Sequence, residues 1–362
     1  MSWINPGLRD FEQRARINQY SFVYVQAAQN RFMRFLPFTA AAFPEVTAKK
    51  GVIESELREA DEAAQAEFQE AANAARGNYV QEAANAALGG SVQEAVNAAH
   101  GSSVQECRLR LFRKDDAAMP VKGGVDVRGG FHAVFKAAEF LAQDAGLLKP
   151  TDNYGCLTSE EFRKFFGQHT IVAIETGLQQ TEAIRTAAES LGFGFRISEA
   201  GNAGGAHETC IDGRDSEDLF FGYASAAVRL KVQLFKAGAI VDEKHPMFVY
   251  IPASEPIALA GIAFGLKEVF GEAAHIFAIG DSEGRVRDAA GIGAGLITDP
   301  AEGALKLETA AGRPSGLVPG MLSVLLSGIL ETPQEIFSCS NYLDEHGLRE
   351  TAAGAVHIEW TF

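Results

Sequence analysis

The sequence predicts an α/β protein built on mostly parallel strands with helices on both faces. Three observations carry this expectation. Short apolar runs, TIVAIETG (170–177), PMFVYIPAS (246–254) and HIFAIGDSEG (275–284), each end in a polar or glycine-containing loop. Such runs read as strands buried on both faces. Helical stretches separate them, which is the order of β-α-β units. The 362 residues are 47% hydrophobic, enough to bury a core in about two domains of roughly 150 residues each.

Taken in order, the first fifty residues predict a helical stretch between breaks at Pro6 and Pro37, with Phe32, Phe35 and Phe38 at core spacing. Residues 51–70 are rich in Ala, Glu and Gln and read as a solvent-facing helix. A tandem repeat of 12 residues comes next: FQEAANAARGNY (68–79), VQEAANAALGGS (80–91) and VQEAVNAAHGSS (92–103). Each unit reads as a short helix closed by Gly77, Gly89 or Gly101, with Ser91 or Ser103 as a capping-box residue. A continuous helix is not expected, because 12 residues turn through about 1200° and leave equivalent positions about 120° apart. The segment is therefore predicted to be a weakly helical surface insertion or a partner-binding arm.

Beyond the repeat, RLRLFRK (108–114) alternates like a strand. A glycine-rich turn (Gly123, Gly124, Gly129, Gly130) then leads into an amphipathic helix, FHAVFKAAEFLAQDAG, which Gly146 ends. A further helix spans 219–238. Ligands of open α/β sheets bind at the carboxyl ends of strands. The loops 175–180, 253–261 and 280–284 are accordingly the predicted site.

Lys and Arg total 32 against 47 Asp and Glu, a formal charge of −15, which argues against a nucleic-acid partner. No apolar run reaches the roughly 18 residues of a membrane span, and the opening MSWINPGLRDFEQRAR lacks a secretory pattern. A cytoplasmic protein that binds no membrane is expected. Cys107, Cys156, Cys210 and Cys339 are too scattered for a zinc site or disulfide frame, and no His-Glu-x-x-His occurs, so no metal is expected.

Several stretches stand out together: WINPG at Trp3, FLPFTAAAFPE through GVIESEL (35–57), GGVDVRGGFHAVFKAAEFLAQDAGLL, SEEFRKFF, DSEDLFFGYASAAVRLK, VDEKHPMFVYIP with AGIAFGLKEVFG, GRPSG at Gly312 and LLSGIL at Leu325. Together they resemble the D-serine dehydratase family, pyridoxal-phosphate enzymes of the tryptophan-synthase-β (fold type II) architecture. The resemblance implies layered parallel sheets with helices, a truncated smaller domain and a helical repeat insertion. It divides the chain into 1–67, 104–150 and 241–362 of the large domain, the repeat 68–103, and a small domain at 151–240. It also implies a β-elimination that turns D-serine into pyruvate and ammonia, with pyridoxal phosphate as cofactor and a small amino acid as ligand.

The motifs depart from the family where the chemistry lies. The family's G-S-[I/V]-K-A-R-G-G is matched by Gly123 to Gly130, G-G-V-D-V-R-G-G, so Asp126 sits in the slot of the Schiff-base lysine. A carboxylate forms no imine. Lys122 is the weak substitute. The substrate loop S-T-G-N-L-G becomes E-T-G-L-Q-Q (175–180), which retains only Thr176 and Gly177 as cofactor-binding remnants. The phosphate loop L-P-C-G-V-G-G-G-P-G-G becomes I-P-A-S-E-P-I-A-L-A-G (251–261), where Pro256 has no N–H and only Gly261, near a helix start, remains. By the same resemblance, Ile279 stands in place of a carboxylate, about forty residues of the smaller domain are expected to be missing between Ala200 and Glu208, and the chain is expected to stop at Phe362 before the family's glycine-rich strand end.

The resulting expectation is a catalytically degenerate family member, a pseudoenzyme. The alternatives are an active but altered pyridoxal-phosphate-dependent amino-acid ammonia-lyase, and a non-enzymatic interaction protein whose partner binds 68–103. A pocket repurposed for a cationic ligand or a metal, with Asp126, Arg128, Glu175 and Glu255 as its polar groups, is a further alternative.

Overall fold

The computed structural model of the chain describes residues 3–4, 19–86, 109–199, 204–280, 295–298, 305–308, 316–348 and 355–362. Within these residues lie a seven-stranded sheet, a three-stranded sheet and a two-stranded ribbon. The strands are β1 (Trp3–Ile4), β2 (Leu57–Glu59), β3 (Arg110–Asp115), β4 (Thr170–Ile174), β5 (Gly194–Ser198), β6 (Glu208–Asp212), β7 (Met247–Pro252), β8 (Ala274–Ile279), β9 (Gly295–Thr298), β10 (Leu305–Glu308), β11 (Gly328–Leu330) and β12 (Val356–Thr361). The α-helices are α1 (Phe22–Ala42), α2 (Pro44–Thr47), α3 (Glu62–Ala86), α4 (Asp126–Asp144), α5 (Glu160–Phe166), α6 (Leu178–Leu191), α7 (Glu217–Ala224), α8 (Ala226–Lys236), α9 (Pro256–Phe270), α10 (Leu317–Leu325) and α11 (Ser340–Glu345).

The large sheet runs β1-β11-β8-β7-β12-β3-β2. Its five inner strands are parallel, and antiparallel β1 and β2 close the two edges. Both edge strands are very short, which limits the unpaired backbone offered to another chain. The predicted strands at 108–114, 170–177, 246–254 and 275–284 appear as β3, β4, β7 and β8, so the layered α/β architecture is as expected. Alternate residues of β7 face opposite cores. Met247, Val249 and Ile251 join the core under α1, α4, α7, α8 and α9, while Phe248 and Tyr250 join a second core under α3 and α11. Burial on both faces explains why the sequence of this strand is apolar throughout.

Three local expectations are corrected by packing. Pro37 lies inside α1 and does not end it. The missing N–H costs a hydrogen bond, but Phe35 and Phe38, both fully buried, hold the helix on each side of the proline. Helix α4 begins at Asp126, so Gly129 and Gly130 belong to the helix and not to a preceding turn. A Cβ on Gly129 would stand 2.5 Å from the Tyr223 ring, and one on Gly130 would stand 3.1 Å from Ala183. These glycines therefore let α7 and α6 approach α4. The stretch 219–238 is two helices, α7 and α8, that meet at Ser225.

The repeat also differs from expectation. Helix α3 runs unbroken through Gly77 and covers the whole first unit and part of the second. It is not wholly solvent-facing either, because Phe68 is fully buried and Ala72 nearly so. Phe68 lies edge-on to Phe337 and His357. This anchor supplies the tertiary support that a short Ala-rich helix lacks alone. Residues 87–103, with Gly89, Ser91, Gly101 and Ser103, lie outside the described residues, as do Cys107 and Gly312.

Candidate functional site

The loop after β4 of the small parallel sheet β5-β4-β6 and the loop after β7 of the large sheet approach each other. The loop after β4 carries Glu175, Thr176 and Gly177, and α6 starts at Leu178. After β6 come Gly213 and Arg214; after β7, Pro252 leads through Ala253 to Glu255 and the start of α9. The first turn of α4 supplies Asp126.

These loops meet. The Gln180 amide donates to the Gly213 carbonyl and to the Tyr223 hydroxyl, both at 3.4 Å. In turn the Tyr223 hydroxyl donates to Asp126 Oδ1. A Cβ on Gly177 would stand 3.8 Å from Glu255 Oε1, and one on Gly124 would stand 3.0 Å from Gln179 Oε1. The cleft floor is thus a chain of polar groups, Gln180 to Tyr223 to Asp126, that joins α6, α7 and α4.

Asp126 is fully buried, and its Oδ2 meets no hydrogen-bond partner among the described residues. Burial pushes its carboxyl up to about 7, against the downward pull of the Tyr223 hydrogen bond. Tyr223, also fully buried, is raised well above the ordinary tyrosine value by burial, then by the nearby Asp126 charge. For Asp126, a folded-state value raised in this way gives stability that is complete below the unfolded value of about 3.9 and is lost as pH rises through about 7. Asp126→Asn keeps the size and removes the titration. Its urea midpoint relative to the parent is expected to rise between pH 5 and pH 8; a difference that stays constant with pH would contradict the buried carboxylate.

The sequence-predicted residues do not all converge on this floor. Thr176 Oγ1 lies 2.5 Å from Thr181 Oγ1, a bond made within the first turn of α6. Gly177 is the exposed N-cap of α6. Glu175 has a left-handed backbone, φ 51°, uncommon for a non-glycine residue, and its carboxylate pairs with Arg214 at 2.6 Å. Lys122 is exposed. Gly261 is not at a helix start: α9 begins five residues earlier at Pro256, and Gly261 is buried against α7, where a Cβ would stand 2.5 Å from the Phe220 carbonyl. Ile279 ends β8, and the rest of the loop 280–284 beyond Gly280 lies outside the described residues.

Arg128 is not a polar group of this cleft. It forms a bidentate pair with Asp116, both bonds 2.9 Å, on another side of α4. Among the described residues no cluster of three or more His, Cys, Asp or Glu side chains is placed to hold a metal ion. None of their helices is long and apolar enough to cross a membrane. Gln180 falls in the predicted loop 175–180, whereas Tyr223, which completes the cleft, carried no sequence signal, since it lies 97 residues from Asp126.

No family model matches the chain. Its sequence is 34% identical over 313 residues to a probable D-serine dehydratase of Pseudomonas putida (strain GB-1), covering 76% of this chain and 63% of that protein. A probable D-serine dehydratase of Vibrio campbellii is 31% identical over 369 residues, covering 90% of this chain and 75% of the relative. Against the D-serine dehydratase of Citrobacter koseri the identity is 29%, and the chain spans 63% of that relative's length. Among solved structures, diaminopropionate ammonia lyase from Escherichia coli in complex with D-serine aligns over 69% of this chain and 79% of its own, with 13% identity and a TM-score of 0.44.

Proposed function

The chain belongs to the D-serine dehydratase family, and from that membership we propose that it keeps the family scaffold without the family's cofactor-dependent elimination. The observation that carries this reading is Asp126. In the slot where the resemblance places the Schiff-base lysine stands a fully buried carboxyl, held by Tyr223. It offers no amine for an imine, and no negative charge is welcome beside the anionic groups of pyridoxal phosphate.

The surroundings support the same conclusion. Helix α9 starts at Pro256, which has no N–H to donate, and the Leu259 N–H already donates to the Glu255 carbonyl at 2.9 Å. Ile257 and Leu259 are buried in the core. From Pro256 onward, the backbone that the resemblance assigns to a phosphate cradle is therefore helical. The Tyr223 ring lies over Gly129 at the base of the cleft. The residues present do not fit the cofactor.

The test is reduction with borohydride in the presence of excess pyridoxal phosphate, then peptide mapping, with D-serine supplied in parallel and pyruvate measured. No site-specific phosphopyridoxyl-lysine and no pyruvate are expected. One protected lysine, Lys122 above all, or pyruvate release above the protein-free rate, would establish the altered but active lyase in its place.

A further inference from the structure

A second pocket opens away from the cleft, between α1, the loop after α2, α4 and α8. Its walls share no residue with the cleft around Asp126, so a ligand bound there is independent of the fate of the family chemistry. Phe32, Met33 and Val127 give it apolar sides, and Gln29, Arg128 and Arg229 give it polar groups.

The polar groups are arranged for an anion. Arg128 donates from Nε and Nη2 to Asp116, and Arg229 donates from Nε and Nη2 to Glu54. Nη1 of each guanidinium meets no partner among the described residues, and the nearly buried Gln29 amide meets none either. These atoms are open to the pocket and not sealed in the core, since the buried side-chain polar atom without a partner among the described residues is Asp126 Oδ2.

Charge points the same way. Behind the pocket, Lys114 is fully buried and donates to the Ser55 carbonyl at 2.6 Å and to Gln233 Oε1 at 3.0 Å. Lys114, Arg128 and Arg229 face only two carboxylates, Asp116 and Glu54, in this cluster. Burial, then the Arg128 charge, pushes the Lys114 ammonium down to about 7. With Lys114 protonated the cluster carries one excess positive charge, which a single added negative charge would balance. The apolar walls select what carries that charge, because a bare inorganic anion would leave Phe32 and Met33 facing water.

We propose that this pocket binds a small organic monocarboxylate with an apolar chain, its carboxylate received by Arg128, Arg229 and Gln29 and its chain by Phe32, Met33 and Val127. The probe is sodium hexanoate, titrated calorimetrically into the full chain beside hexan-1-ol and hexylamine. Hexanoate is expected to bind at least about tenfold more tightly than either, the factor of a charge-assisted hydrogen bond. Gln29→Glu places a carboxylate among the receiving groups and is expected to reduce hexanoate binding by about tenfold or more. Met33→Trp, at a half-exposed position of the mouth, is expected to block it, and serves where Gln29→Glu does not fold. Equal binding of hexan-1-ol, no binding of hexanoate, or hexanoate affinity unchanged in a folded variant would overturn the proposal.

Discussion

Asp116→Ala is expected to lower the unfolding free energy by about 3–5 kcal/mol, the loss seen when one partner of a buried ion pair is removed. Asp116 is fully buried. Its carboxylate accepts two bonds from Arg128 at 2.9 Å, one from Trp360 Nε1 at 2.9 Å and one from the Ser55 hydroxyl. Truncation strands the Arg128 charge and the indole N–H together, beside the already buried Lys114. The same carboxylate sets an acid limit. Burial alone would raise it, but Arg128 and Lys114 outweigh burial and hold it below the usual carboxylate range. A lowered folded value contributes stability above the unfolded value of about 3.9, and that stability is lost as pH falls through the folded value. Urea unfolding at pH 7 and pH 3 checks both statements: the penalty of Asp116→Ala should shrink in acid. A loss under about 1 kcal/mol at pH 7 would show that the cluster is not the clamp between β3, β12 and α4 that its bonds describe.

Phe68→Ala is expected to cost about 3–5 kcal/mol, the range for deleting a buried aromatic side chain. The Phe68 ring has its centroid 4.9 Å from that of His357, 5.3 Å from Phe337 and 6.2 Å from Tyr250. Among the described side chains of α3 it is the fully buried one, and Ala72 adds little area beside it. Because an isolated Ala-rich helix is marginal in water, the variant should lose far-UV helix signal as well as stability. Unchanged helicity with unchanged stability would mean that the repeat helix stands on local propensity. The reading of 68–103 as a partner surface meets a constraint here, since its first unit begins on a residue committed to the core.

Much of the architecture was legible in the chain itself. Strands β3, β4, β7 and β8 announce themselves because both faces of a parallel sheet are covered, which demands apolar residues without a polar alternate. Two of the three predicted loops, 175–180 and 253–261, border the cleft, since strand ends of open sheets face one side, while 280–284 beyond Gly280 lies outside the described residues. The places where the sequence misled have one cause. Pro37, Gly77, Gly129 and Gly130 carry local signals for breaks, yet each lies within a helix, because contacts made by Phe35, Phe38, Phe68 and Tyr223 outweigh a local cost of about 1–3 kcal/mol.

The sequence by itself determined the α/β class and the family, because these rest on residue identity and short-range period. Tertiary structure alone decided that Gln180 reaches Tyr223 and Tyr223 reaches Asp126, that Arg128 turns to Asp116, and that β12, last in the chain, lies between β7 and β3. Each of these joins separate elements of the chain. Such pairings are set by how sheets and helices bury their faces together, and no local pattern of residues encodes that.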